Sequence, residues 1–314
     1  MIKAYKIRYL SFHTEIKSYT IFGAFCWAYR FLYGNNQLIE FLETFSKNPK
    51  FLISSPFPLL KDKPLFPKPL LKLETEENLS IIDKLKRKPY KKASFITINV
   101  LKDIIDGNIK TQNDLMKTYN VKGSIIYKSE EFQNKEEILL KYHNIIQTHN
   151  LINRYNNITE NLYFENGRFT PQEHYFLVQF CDLEFQSKFE EALKFIEDLG
   201  IGGNKNIGWG KIEIEPLNLD ISFLQNHQSN FFITLSPIIP DKNLVANKSY
   251  YNLRTFQSYT EGTFSDGILK NKIIYLEEGS LIYKENSYAG ILKKMKNIYQ
   301  YGLEFPIYLR WNYE

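Results

Sequence analysis

Polar and apolar residues alternate over residues 3–10, with Tyr5, Ile7 and Tyr9 on one side, the period of a strand with one buried face. After a polar turn containing His13 the period changes. The run IFGAFCWAYRFLY predicts a helix over residues 19–33, capped by Ser18. It is apolar nearly all round, so it should lie between a sheet and a second surface, and Gly23 would permit a close backbone crossing. Pro49, Pro56, Pro58, Pro64, Pro67 and Pro69 forbid regular helix over 48–73. The interleaved Phe51, Phe57, Leu65 and Phe66 argue for an ordered covering over a domain face and not for a flexible linker.

Farther on, SFITINV at 94–100 reads as a strand and residues 136–146 as a helix or helical turn. A buried strand follows at 174–181, and Phe185, Phe189, Leu193 and Ile196 then recur at helical spacing over 187–199. Ser187 with Glu190 has the form of a capping box, Gly200 of a helix stop, and KIEIE at 211–215 alternates as a half-buried strand does. The series is βαββαβ with a long insertion. It predicts an α+β fold in which residues 1–216 form a ferredoxin-like domain of the type shared with RNA-recognition (RRM) domains. Past Pro216, strands at 231–235, 272–276, 281–283 and 303–311 predict a second, smaller and degenerate ferredoxin-like domain over 217–314.

Between the last helix and strand of the first unit lies LGIGGNKNIGWGK, which gathers Gly200, Gly202, Gly203, Gly208 and Gly210 out of 15 glycines in the chain. In mononucleotide and dinucleotide loops the glycines follow a strand and open a helix; here they close one. The wording differs too, since Gly208 is followed by Trp209 and Gly210 and not by Lys and Ser/Thr. Asn204, Lys205, Asn206, Trp209 and Lys211 add amides, cations and a stacking surface suited to a sugar-phosphate strand. The alternative is a tight connection whose Trp209 packs inward.

With 40 Lys and Arg against 35 Asp and Glu the formal charge is only +5, so a polyanion site must be a local patch. The densest run is KLKRKPYKK, containing Lys84, Lys86, Arg87, Lys88, Lys91 and Lys92, either a solvated surface or an RNA-facing hairpin or loop. Cys26 and Cys181 lie in apolar runs as buried thiols would; with no signal-peptide pattern and no membrane-length apolar run, a cytoplasmic location is expected. His143 and His149 stand six apart and no CxxC, HExxH or GxSxG occurs, so neither metal nor cofactor is expected. Asp182, Glu184, Glu190 and Glu191 read as a solvated rim, and His174 and His227 as isolated histidines without chemistry.

Taken together, GIGGNKNIGWG at 200–210, SYTIFGAFCWA at 18–28, SSPFPL and LFPKP within 54–69, HNLINR at 149–154, LSPIIP at 235–240 and EEGSLI at 277–282 resemble a known family. That family is Csm subunit four of type III-A CRISPR effector complexes, within the RAMP superfamily of duplicated ferredoxin-like RNA-binding proteins. The resemblance implies a non-catalytic subunit that grips the repeat-derived 5′ tag of the CRISPR RNA and holds the large polymerase-like subunit beside the backbone subunits. It implies that Gly202, Gly203, Asn204, Lys205, Asn206, Gly208, Trp209 and Lys211 contact the tag, with His13 and Ser18 near its path. By position, the basic run would belong to a thumb-like hairpin wedged into the guide. A second reading follows another RAMP branch, which cleaves precursor CRISPR RNA without metal, and would make His13 the general acid/base. A third is a protein-interaction scaffold built on the 19–33 helix and the proline-rich covering, or on the surface around Arg254 and Gly279.

Overall fold

The computed structural model describes residues 1–72, 81–133, 138–224, 229–260, 269–285, 288–295 and 298–311, with only the backbone of 81–86. His227 and part of the helix expected at 136–146 lie outside the described residues. The chain begins with β1 (Ile2–Tyr9), α1 (Ser18–Tyr33), α2 (Asn35–Phe45) and β2 (Phe51–Ile53). A long excursion follows: β3 (Phe57–Leu60), β4 (Lys63–Pro67), α3 (Ile81–Lys92), β5 (Phe95–Thr97), α4 (Ile98–Ile105), α5 (Gln112–Thr118), β6 (Asn120–Lys122) and β7 (Ile125–Tyr127). It ends in a hairpin of β8 (His143–Ile152) and β9 (Thr159–Phe169), after which β10 (His174–Phe180), α6 (Gln186–Leu199) and β11 (Ile212–Leu217) complete the first unit.

In that unit β1 pairs antiparallel with both β10 and β11, and β10 with β2, giving the order β11-β1-β10-β2. This is βαββαβ with the second strand at β2 and not at residues 94–100 as expected. The SFITINV segment holds only the three-residue β5; helix α4 then buries Val100, Leu101, Ile104 and Ile105 at helical spacing. β-Branched residues gave that segment its strand signature, and tertiary packing overrode it. The proline-rich stretch forms β2, β3 and β4 and extends the sheet as an ordered layer through β5, β7 and β6.

Helices α1 and α6 cover one sheet face with an aromatic core of Phe22, Phe25, Phe41, Phe45, Phe51, Phe185 and Phe189, all buried. Phe25 stacks on Phe189 at 5.3 Å and meets Phe51 edge-on at 5.1 Å, so the many phenylalanines are largely core. The caps differ from expectation. Lys17, not Ser18, occupies the N-cap of α1, while the Ser18 amide donates to Ser55 Oγ at 3.1 Å. Helix α6 starts at Gln186, and Glu190 is not in a capping box; it accepts from Lys3 and Tyr5 of β1 at 3.1 and 2.9 Å. Asp182 bonds Lys50 at 3.0 Å, so these two acids are pinned, whereas Glu184 and Glu191 are exposed. Cys26 is half-buried and Cys181 exposed, the latter because it lies past the end of β10.

The remaining strands are β12 (Phe231–Thr234), β13 (Leu253–Phe256), β14 (Ile273–Leu276), β15 (Leu281–Tyr283), β16 (Lys293–Met295), β17 (Ile298–Gln300) and β18 (Pro306–Tyr308). β12 lies between β15 and β18, and among the described residues past β11 no α-helix occurs. The border at 216/217 falls inside β11, and the core runs across it: Tyr19 stacks on Tyr275, Phe22 on Tyr301 at 4.9 Å, and the Tyr301 hydroxyl accepts from the Ile53 amide at 3.0 Å. No described helix is long and apolar enough to cross a membrane.

Candidate nucleic-acid interface

The glycine loop closes α6 and folds back onto the segment after β1. Ile201 and Gly210 are clamped together by an amide-to-carbonyl bond of 2.9 Å, and the Gly210 amide donates to Phe12 O at 2.7 Å. Gly210 has φ +74°, and a Cβ there would sit 2.0 Å from Ile201 O, so this position admits only glycine. Gly203 differs. Its φ is ordinary, it is exposed, and a Cβ would meet only the Thr14 side chain, its methyl at 3.3 Å. Its amide donates to Thr14 Oγ1 at 3.1 Å, which fixes the loop's outer edge on the β1–α1 connection.

The loop thus sorts its residues into two sets. Gly203, Asn206, Gly208 and Lys211 are exposed, and Gly202, Asn204 and Lys205 half-buried. Trp209 is buried at 4% exposure, with its ring over Gly167 at the base of the β8–β9 hairpin. Its ring is not a stacking platform but a buried wedge that holds the hairpin. Asn204, left-handed at φ 62°, donates from Nδ2 to Glu165 of β9 at 2.9 Å, and so is also engaged with the hairpin.

Ser18 is fully buried and His13 nearly so. The His13 ring stacks on Tyr9 at 3.9 Å, and its Nδ1–H donates to Thr14 O at 2.7 Å, leaving Nε2 toward Thr170 Oγ1 at 3.4 Å. Burial pushes His13 down to about 4, aided by Arg168. His174, edge-on to Tyr9, is pushed down to about 4 by burial, with His13 and Arg168 adding to it. Both imidazoles are therefore neutral at physiological pH.

These histidines border a cleft of about 370 Å³ between the β1–α1 connection, the hairpin base and the second half of the chain. Arg168, over the Tyr142 ring at 5.9 Å, supplies positive charge at one end. At the other end Arg254 forms a bidentate pair with Glu15, and Lys17 bonds Glu278 at 2.9 Å. With Glu277 also there, three carboxylates face two cations, so that end does not attract a polyanion. Arg168 and Tyr142 were not legible as site residues, because HNIIQTHNLI and LYFENGRF, on either side of a polar turn, do not alternate polar with apolar residues.

The two segments form the β8–β9 hairpin, with strands ten and eleven residues long. The cross-strand pairs His149–Tyr163 and Gln147–Glu165 share the face toward the glycine loop, and Ile146, Leu162 and Phe164 belong to the other. Those three are 58–66% exposed, and Tyr155 at the tip is fully exposed. The basic run is not a hairpin: it lies in α3, whose last carbonyls accept from Lys68 Nζ, and its described side chains, from Arg87 to Lys92, line neither this cleft nor the larger one along α1. Among the described residues no group of His, Cys, Asp or Glu is arranged to hold a metal.

Topology and loop together define a class. The sequence pattern of the RAMP superfamily matches residues 10–213, and the chain belongs to that superfamily. Within it, the chain is similar to two proteins named CRISPR system Cms protein Csm4. The one from Methanocaldococcus jannaschii is 33% identical over 131 residues, 38% of this chain and 34% of that protein. The one from Thermococcus onnurineus is 24% identical over 298 residues, 92% of this chain and 89% of that protein. The match thus spans about a third of the first relative and most of the second. The fold is shared with a chain of the crystal structure of the Csm3–Csm4 subcomplex in the type III-A CRISPR-Cas interference complex, at TM-score 0.67, 24% identity and 99% coverage of both chains. A chain of the Csm1–Csm4 cassette in complex with AMPPNP matches at TM-score 0.56 and 17% identity, over 100% of this chain and 99% of that one.

Proposed function

We propose that this protein is the Csm4-type subunit of a type III-A CRISPR effector complex and that it grips the repeat-derived 5′ tag of the guide RNA. The observation that carries the reading is the glycine loop. Its inner residues are locked by backbone contacts, while Gly203, Asn206, Gly208 and Lys211 stay at the surface beside a protruding hairpin. A rigid edge of small residues and one cation lets a sugar-phosphate strand approach closely, and Asn206 can read a base edge. This grip tolerates a variable spacer while recognising a constant tag.

In this reading the thumb-like wedge is the β8–β9 hairpin, with its bare apolar face, and not the basic run. The protein is a holder and not a nuclease: His13 is buried, neutral and tied to its own backbone, which suits a packing role. The large polymerase-like subunit and the backbone subunits are its partners, as the assemblies of its relatives suggest, in the cytoplasm. We read residues 1–216 as a ferredoxin-like unit with a long insertion and residues 217–314 as a reduced second copy.

Gly203→Leu tests the reading, because the φ there is ordinary and only the Thr14 side chain lies near. Complexes co-expressed with guide RNA and purified with this variant should carry severalfold less RNA, with the subunit's thermal unfolding unchanged. Unaltered RNA content would refute the grip.

A further inference from the structure

Helix α1 is apolar nearly all round, and the core takes mainly one side of it, with Ala24 packed only partly against it. Ile21, Phe22, Phe25, Ala28 and Tyr29 are buried. Thr20, Gly23, Ala24 and Trp27 recur three and four residues apart, form the opposite stripe, and are only half-buried. Gly23 does not serve a backbone crossing: a Cβ there would meet nothing within 4 Å. A glycine in mid-helix costs stability relative to almost any other side chain, so an empty place beside it calls for an occupant.

The space it opens onto is a cleft of about 570 Å³, the larger of the two described. Its floor is the α1 stripe, and its far wall comes from the second half of the chain, including Phe256, Tyr259 and Tyr299. Tyr259 is 66% exposed. Gly202, Gly203 and Lys205 of the glycine loop form one end; Trp27 with the Arg30 guanidinium 5.2 Å over its ring lies at the other. From Thr20 to Arg30 the helix advances about 15 Å. That length holds about three or four stacked nucleotides.

We propose that the cleft is a single-stranded RNA channel: nucleotides adjoining those held by the glycine loop run along α1, with bases stacked on Trp27, Tyr259 and Tyr299. The proposal rests on the RNA-gripping reading and extends it to a second subsite with its own residues. Three observations point to RNA. The cleft is continuous with the loop, its aromatic walls offer faces to any base, and Lys205 and Arg30 stand at its two ends to meet phosphates. Gly23 keeps the floor low enough for a base to lie flat.

The test uses the purified full chain and a single-stranded oligoribonucleotide carrying the repeat-derived end of the guide, labelled at its far end. Gly23→Leu places a side chain in the empty cleft and improves helix propensity, so thermal unfolding should be unchanged or raised by about 1–2 °C. RNA affinity should nevertheless fall about tenfold, and the nuclease-protected footprint should shorten by about three nucleotides. Trp27→Ala should act in the same direction, and it decides the matter if Gly23→Leu fails to fold. Wild-type affinity and footprint in both variants, alongside weakened binding in Gly203→Leu, would overturn the channel while leaving the glycine-loop grip standing. Unchanged RNA binding with lost capture of another subunit would assign the cleft to a protein segment and also overturn it. Absence of RNA binding by the wild-type chain would remove both readings.

Discussion

His13 shows how far a single residue's role depends on where the chain puts it. From the sequence it was a candidate base before a helix; in the structure it is a buried ring between Tyr9 and Thr170, and burial holds it and His174 near 4. The sign of the consequence follows. An unfolded chain has histidines near 6.5, so between about pH 6.5 and 4 the unfolded state binds more protons and stability falls as pH falls, by about 1.4 kcal/mol per pH unit for each histidine. His13→Gln should be less sensitive to acid than wild type over this window in denaturant melts. Parallel pH profiles for the two proteins would show that His13 is not buried neutral. Trp209 carries the same lesson. Its inward alternative was visible from the sequence, but what decides between the two, the proximity of the distant Gly167, is tertiary.

At the scale of elements, the glycine loop and the β8–β9 hairpin form one unit. Trp209 presses on Gly167, Asn204 bonds Glu165, and His13 and Arg168 exchange backbone hydrogen bonds of 2.9 and 3.0 Å. A Cβ at Gly167 would lie 2.6 Å from the Trp209 ring, so Gly167→Val must lift the hairpin off the loop. It should cost about 1–3 kcal/mol and speed hydrogen exchange in β9 and in residues 203–210 together. Faster exchange in β9 alone would separate the two elements. β1, α6 and β11 were legible from their hydrophobic periods, and α1 and β10 as continuous apolar runs bounded by polar residues. The hairpin was not. Its strands have apolar residues on both faces, so no alternation of buried and exposed positions marks them. Residues 136–146 read as a helix or helical turn, but among the described ones Ile138 is drawn into a small satellite core with Phe132 and Tyr127, and 143–146 begin strand β8.

For the molecule as a whole, the two halves share a core through Tyr19, Phe22 and Tyr301, and these residues also line the cleft along α1 beside the glycine loop. The sequence announced a sticky helix and a glycine loop separately; only the fold makes them neighbours. The central claim is that the loop holds the constant end of a guide RNA. Ultraviolet crosslinking of the complex assembled on guide RNA, read by mass spectrometry for the peptide and by sequencing for the nucleotide, tests it most directly. Crosslinks from residues 202–211 to the repeat-derived 5′ nucleotides are the expected result; crosslinks confined to α3, or loop crosslinks spread over the spacer, would contradict it.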